Sequence, residues 1–271
     1  LTLNVLGGYY LRFADPVVAQ ICADNWGDKV GITPEQAAVV ASIGTVFSGN
    51  TEITSFDELD KFTSVKTLIN EAFKGASSLK KVNLSNIIEI QGSGARGALY
   101  GTALEEVIAP NLEKLSIPSN TIGGHFANSA IHRVLSLGKI TYIPNGGSLY
   151  SPFQPCANLD VVILPDTLSS IGAHCFRNDT ALRFLICKAT TPPTLGTSAL
   201  LATPIASGTG SIYVPDGTTM DAEGNTITIV EAYKAATNWS AYASRVCPIS
   251  QLETDNKELF NEIYEYIKDV L

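Results

Sequence analysis

Charge is scarce in this chain of 271 residues: Asp, Glu, Lys and Arg make up 16% of it, against about a quarter in ordinary globular proteins. With 45% hydrophobic residues, that scarcity excludes a disordered chain and points to a large, repetitive, strand-rich core. Basic runs are also missing. The net charge is −8 and the isoelectric point is near 4.9, so nucleic acid and anionic membrane are not expected partners. No apolar run approaches the roughly 18 residues of a membrane span, and no signal peptide is recognisable. The single methionine is Met220 and the chain starts at Leu1; a processed chain or an excised piece is expected.

Reactive groups are few. The five cysteines, Cys22, Cys156, Cys175, Cys187 and Cys247, are odd in number and form no C-x-x-C. They support neither a disulfide framework nor a zinc site and read as small buried hydrophobes. The three histidines, His125, His132 and His174, form no H-x-x-x-H or H-E-x-x-H. No G-x-S-x-G elbow is present, and the acidic residues are too scattered to single out a glycosidase pair. Gly92-Ser-Gly94-Ala-Arg-Gly97 matches G-x-G-x-x-G, with Glu113 beyond it. A dinucleotide site needs a strand before this motif and a crossover helix after it; here the next strand starts at Glu105, so the segment reads as a glycine-rich arc. No catalytic residue, metal or cofactor is assigned, and the chain is expected not to be an enzyme.

What the chain does have is a repeat. Its unit is an aromatic, about five residues, then L-x-x-V-x-L. The clearest copies are Phe73…Leu79-Lys-Lys-Val82-Asn-Leu84 and Phe153…Leu159-Asp-Val-Val162-Ile-Leu164. Further copies start at Leu104, Ile131 and Leu182, giving steps of 25, 27, 28 and 23 residues. That is the ~20–29 residue period of leucine-rich repeats. The last two apolar positions, two apart, face one side of a strand. Stacked units bury that side together, which predicts an α/β repeat solenoid: a parallel sheet backed by a continuous core, with short irregular arcs. Pro110, Pro118, Pro165 and Pro215 mark strand exits. Ile90, Ile143 and Ile171 re-enter the core from the arcs, and Phe73, Phe126, Phe153 and Phe176 do so on the far side.

The stretches Leu159-Asp-Val-Val-Ile-Leu-Pro-Asp-Thr-Leu-Ser-Ser-Ile171-Gly-Ala-His-Cys-Phe176 and Leu68-Ile-Asn-Glu-Ala-Phe73-Lys-Gly-Ala-Ser-Ser-Leu79 resemble the BspA-type leucine-rich repeat. Ser211-Ile-Tyr-Val-Pro215-Asp-Gly, followed by Val230-Glu-Ala-Tyr-Lys-Ala-Ala, is similar to the closing segment of such arrays. The likeness covers residues 63–250. It implies a secreted or cell-surface protein of gut or oral bacteria, Bacteroides included, that adheres to or binds proteins. Residues 91–147 depart from the pattern, with Gly123-Gly124 and the 92–97 arc in place of the usual turn. The asparagine ladder of the general repeat is absent, since Ile87, Leu112 and Thr167 stand at its position.

Four regions are expected: an N-terminal strand and helical cap over 1–62, about five repeats over 63–215, a C-terminal cap with a hairpin insertion over 216–250, and an amphipathic helix over 251–271. In the first cap, one helix runs from Pro16 to Ala23. A second starts at Thr33-Pro34-Glu35-Gln36, with Thr33 as N-cap and Gln36 closing a capping box. The link Asp24-Asn-Trp-Gly-Asp28-Lys-Val-Gly31-Ile32 is similar to a calcium loop but lacks its ligand spacing, with Gln36 at the twelfth position and Lys29 inside. Helical periodicity over 229–246 reads as the closing cap, and Asp221–Asn225 as the tip of the inserted hairpin. The last helix has Leu259, Phe260, Ile263, Tyr264, Ile267, Val270 and Leu271 on one side and acidic residues on the other. Docking on the cap is the favoured reading, with a linker or oligomer helix as the other.

The concave sheet face holds the candidate site. Between buried positions, side chains point outward, and the central column reads Asn83, Ile108, Leu135, Ile163, Ile186. An exposed apolar stripe of this kind, flanked by Glu106, Arg133, Phe184 and Lys188, would dock a host or bacterial protein. Alternatively, the chain covers its own stripe with residues 1–12 or the C-terminal helix. Two other functions stand beside recognition: a structural spacer in a larger surface or phage-associated protein, and glycan binding, for which Tyr100, Tyr142 and Tyr150 are the candidate aromatics.

Overall fold

The computed structural model describes residues 9–92, 96–116, 124–146, 151–153 and 156–271. The repeats stack as a parallel-sheet solenoid of about five turns. Six strands form the main sheet, in the order Val246–Pro248, Ser211–Val214, Phe184–Cys187, Val161–Leu164, Arg133–Ser136, Glu106–Ile108. Ser55–Phe56 and Lys81–Val82 form a separate parallel pair at the N-terminal end. On the arcs, two-residue strands pair as two further parallel sheets: Thr67–Leu68, Glu89–Ile90 and Lys114–Leu115, then Tyr142–Ile143, Ser170–Ile171 and Thr194–Leu195. Each turn thus closes its backbone bonds on its neighbours, as the repeat period requires.

Strand alternation sorts side chains onto two faces. Val134, Val162, Leu164, Leu185, Ile212 and Val214 point into the solenoid and are buried there. Ile90, Ile143 and Ile171 reach the same core from the arcs, as the repeat pattern predicts. Opposite them the aromatics stack: Phe126 on Phe153 at 5.3 Å, Phe153 on Phe176 at 5.0 Å, and Phe47 on Phe73 at 5.4 Å. Leu99 and Leu200 fill the same place in their turns. Two residues past the aromatic, the chain turns left-handed at Gly75 (φ 70°), Gly101 (φ 68°), Asn128 (φ 55°) and Asn178 (φ 65°). Glycine and asparagine adopt that region cheaply, and Ala202 (φ 61°) takes it at a cost in the turn after Leu200.

One position further lies a polar column the sequence reading missed, interrupted only at Ala76 among these turns: Asn50, Thr102, Ser129, Cys156, Asp179 and Thr203. These side chains satisfy turn backbone inside the stack. Thr102 Oγ1 donates to Leu99 O (3.0 Å), Thr203 Oγ1 to Leu200 O (2.8 Å), and the Asn50 carboxamide oxygen accepts from Glu52 and Ile53 N–H. The column takes over the role an asparagine ladder would have. Asp179 is its costly member. One carboxylate oxygen accepts the Cys156 N–H at 3.0 Å, and the other is buried without a partner. Burial pushes its pKa well above the carboxylate range, against the lowering effect of that one bond. His125 is also buried; its Nδ1 accepts the Ala98 N–H at 3.2 Å and its Nε2 meets Ser116 O. Burial pulls its pKa down to about 4.

Both ends are sealed. The first helix, Pro16–Trp26, is capped by Asp15, whose other oxygen accepts from Thr54 N–H (2.6 Å) and Oγ1 (2.8 Å). Burial works against the ionised carboxylate, but the bonds from Thr54, Val18 and Val17 outweigh it and hold the Asp15 pKa low. Pro34–Ala38 starts with the expected Thr33–Gln36 capping box. The N-terminal strand expected within 1–62 falls partly on residues 1–8, outside the described residues; residues 9–13 carry no strand. At the other end the expected helix over 229–246 is two pieces, Ile229–Ala235 and a 3-10 segment Trp239–Arg245, parted by left-handed Asn238 (φ 65°). The break lets Trp239 Nε1 donate to Pro193 O (2.7 Å) and Tyr233 OH to Ala189 O (2.8 Å), closing the stack. Val246–Pro248 then adds a last strand. The hairpin insertion is Thr218–Met220 paired with Thr226–Thr228.

Candidate interaction face

The outer face of the main sheet is built from the residues between the buried ones. Strand register aligns Val161 with Phe184, Ile163 with Ile186, Ile186 with Tyr213, and Tyr213 with Cys247. The apolar column therefore continues to Tyr213 and Cys247, which a search for L-x-x-V-x-L overlooks because those two strands lack the repeat signature. At its other end the column breaks. A register shift after Val107 puts Ile108 opposite Ser136 rather than Leu135. Ile108 is thus not the start of the Leu135–Ile163–Ile186 column, as the sequence spacing had it.

Of the two alternatives for the stripe, covering by the C-terminal helix is the one found over Leu135, Ile163 and Ile186. These three, with Val161 and Tyr213, form a second core with Leu259, Phe260, Ile263 and Ile267 of the Lys257–Ile267 helix. The helix docks on the sheet, not on the cap as expected. Its one-sided apolar pattern is what fits it there, and an isolated helix of this length is marginal in water. Asn256 caps it, accepting the Leu259 N–H at 3.1 Å. Charged groups frame the seat. Arg133 reaches Glu262 at 2.5 Å, and Lys188 reaches Asp269 at 2.6 Å and donates to Tyr266 O at 3.3 Å. Tyr213 OH donates to Asp255 at 2.9 Å. Burial and then that carboxylate push the Tyr213 pKa up.

The N-terminal half of the face stays open. Lys81–Val82 and Glu106–Ile108 belong to separate sheets, and between them lies a cleft of about 590 Å³, lined by Lys80, Lys81, Asn83, Glu105, Glu106 and Ile108. Ile108 is 38% exposed there, while Leu135, Ile163 and Ile186 are 4%, 3% and 1% exposed. Lys81 pairs with Asp57 at 3.1 Å and Lys80 with Glu105 at 3.5 Å, so the cleft wall alternates in sign. Arg133 stands between the halves, with Glu106 at 3.5 Å on one side and Glu262 on the other. Of the eight residues singled out from sequence, Glu106 and Ile108 line the open cleft, Arg133 pairs with both Glu106 and Glu262, and Leu135, Ile163, Phe184, Ile186 and Lys188 lie at or beneath the helix.

The remaining motifs have local explanations. A Cβ on Gly97 would sit 2.2 Å from His125 Cα, so that glycine permits close stacking of turns; residues 93–95 of its motif lie outside the described residues. The Asp28 carboxylate closes its own loop, accepting Val30 and Gly31 N–H at 3.0 Å each and Tyr10 OH at 2.5 Å. Tyr142 is exposed on the arc side, Tyr100 bonds Asn128 and lies under Arg96, and Tyr150 and Pro118 are outside the described residues. Among the described residues, no group of three His, Cys, Asp or Glu is placed to hold a metal, and no helix is long and apolar enough to cross a membrane.

The model of the BspA type leucine rich repeat region matches in six copies across residues 43–183 and 111–204, more than half of the chain. Among solved structures, a leucine-rich repeat protein from Bacteroides ovatus ATCC 8483 is similar at 16% identity with a TM-score of 0.18. The match covers 58% of this chain and 66% of that one, a little under two thirds of its length. No curated protein matches the chain.

Proposed function

For a chain that belongs to the BspA-type leucine-rich repeat family, we propose a non-enzymatic recognition role at the surface of, or outside, a bacterial cell, with a protein bound on the sheet face. In this reading residues 63–215 are the recognition array and residues 1–62 and 216–250 close its ends. The observation that carries it is the open half of the outer face. A cleft of about 590 Å³ carries an exposed isoleucine, Ile108, among residues of both signs, Lys80, Lys81, Glu105 and Glu106. That is the make-up of a protein-binding patch, with an apolar anchor inside a polar rim.

The test is site-specific photo-crosslinking in the cells that make the protein. The crosslinker is placed at Ile108 or Lys81 on the sheet face and, as control, at Lys139 or Ser169 on the arcs. A discrete adduct from the sheet positions alone is expected. Adducts from the arcs alone, or from neither, defeat the reading.

A further inference from the structure

The covered half of the face holds a helix, and three features bear on how firmly it is held. First, the seat closes unevenly: a cavity of about 350 Å³ lies between the last turns and the sheet, bordered by Leu135, Ile163, Lys188, Tyr266 and Asp269. Second, Asn256, with φ −153° and ψ 83°, breaks the chain between the Lys257–Ile267 helix and the preceding turn, which buried Leu252 and the Tyr213–Asp255 bond anchor. Third, departure strands no charge. Arg133 keeps Glu106, and Lys188 and the helix carboxylates return to water.

We propose that the outer face from Arg133 to Lys188 is a receptor groove for an acidic amphipathic helix of a partner protein, and that residues 256–271 are its resident competitor. This rests on the protein-recognition reading above. The groove reads a pattern. Apolar side chains at the places of Leu259, Phe260, Ile263 and Ile267 fill the sheet column, and carboxylates at the places of Glu262 and Asp269 meet Arg133 and Lys188. Glu262 stands on the Lys257–Ile267 helix and Asp269 in the 3-10 turn Lys268–Val270 that follows it, and the two reach the sheet at Arg133 and Lys188. A partner with that spacing takes the same contacts. Its apparent affinity is reduced by the fraction of molecules whose groove the chain's own helix fills.

The experiment uses the full chain and two fluorescent peptides. One is the 256–271 sequence. The other keeps only Leu259, Phe260, Glu262, Ile263, Ile267 and Asp269 and replaces all other positions. Ile263→Asp in the full chain lifts the resident helix. Both peptides are expected to bind that variant with Kd values within about threefold of each other, and the natural chain at least about tenfold more weakly. Reversing both carboxylates of the peptide to Lys should cost at least about tenfold. A second chain variant, Glu262→Lys, loosens the helix without touching its packing and should bind the peptides more tightly than the natural chain does. Three results overturn the proposal: no peptide binding to either variant while its thermal melt stays cooperative, binding of the native peptide only, or loss of the sheet signal when the helix is lifted. A natural chain that runs as a helix-exchanged dimer assigns the groove to a second copy and overturns it as well. No natural partner is needed, so failure here is distinct from failure of crosslinking at the open cleft.

Discussion

The two halves of the sheet's outer face come from one repeat and meet different fates. From Leu135 to Tyr213 the outward positions are apolar and lie under a helix; from Lys81 to Ile108 they are mixed and open. The same strand geometry serves both. What separates them is the chemistry of the outward residues, since an apolar column gains from burial at roughly 25 cal/mol per Å² and a charged rim does not. A repeat therefore fixes the scaffold, and the residues it leaves free decide what the scaffold meets.

The sharpest test of that difference compares isoleucines of the two halves. Ile163→Ala is expected to cost about 2–5 kcal/mol in denaturant unfolding, and Ile108→Ala less than about 0.5 kcal/mol. Equal losses would break the comparison.

Acid should weaken the turns next to the open half first. His125 is neutral in the fold with a pKa near 4, below its usual 6.5, because burial opposes its charge. The unfolded chain takes up its proton near pH 6.5 and the folded chain only near pH 4. Stability present above pH 6.5 is therefore lost as the pH falls through that window, by up to about 3 kcal/mol. Hydrogen exchange at Ala98 and its neighbours, followed from pH 7 to pH 4.5, should show opening there before strands 161–187. Uniform loosening would contradict it.

Asp179 places a smaller cost of opposite sign behind the covered half. Its raised pKa means that the folded chain holds the proton that the unfolded chain releases near pH 4. Stability from this group therefore declines as pH rises above about 4. Asp179→Asn should stabilise the protein at pH 7, by about 1 kcal/mol or more, because the folded chain no longer has to hold a proton that the unfolded chain releases, and the gain should vanish at pH 3.5. A melting temperature unchanged or lowered at pH 7 would show that Asp179 is better satisfied than its single bond to Cys156 indicates.

Much of the fold was legible because a solenoid repeats its instructions. The inward Val and Leu positions, the stacked phenylalanines and the Thr33 capping box all follow from local spacing. The site was legible only in part. The outward column could be read as far as Ile186, but Tyr213 and Cys247 sit in strands without the repeat signature, and the register shift at Val107 leaves no mark in spacing. The polar column from Thr102 to Thr203 was hidden because Thr, Ser, Cys and Asp share a task there, not a residue type.

Local spacing dictates that these turns stack, since no single turn can bury its own apolar edge. It also places an amphipathic helix within residues 251–271, found over Lys257–Ile267. Where that helix goes depends on contacts between distant parts of the chain. The cap, the sheet face and a neighbouring chain are equal choices for an amphipathic helix until Arg133 and Lys188 are set opposite Glu262 and Asp269. That pairing joins residues 129 and 81 positions apart, a separation that no local pattern carries.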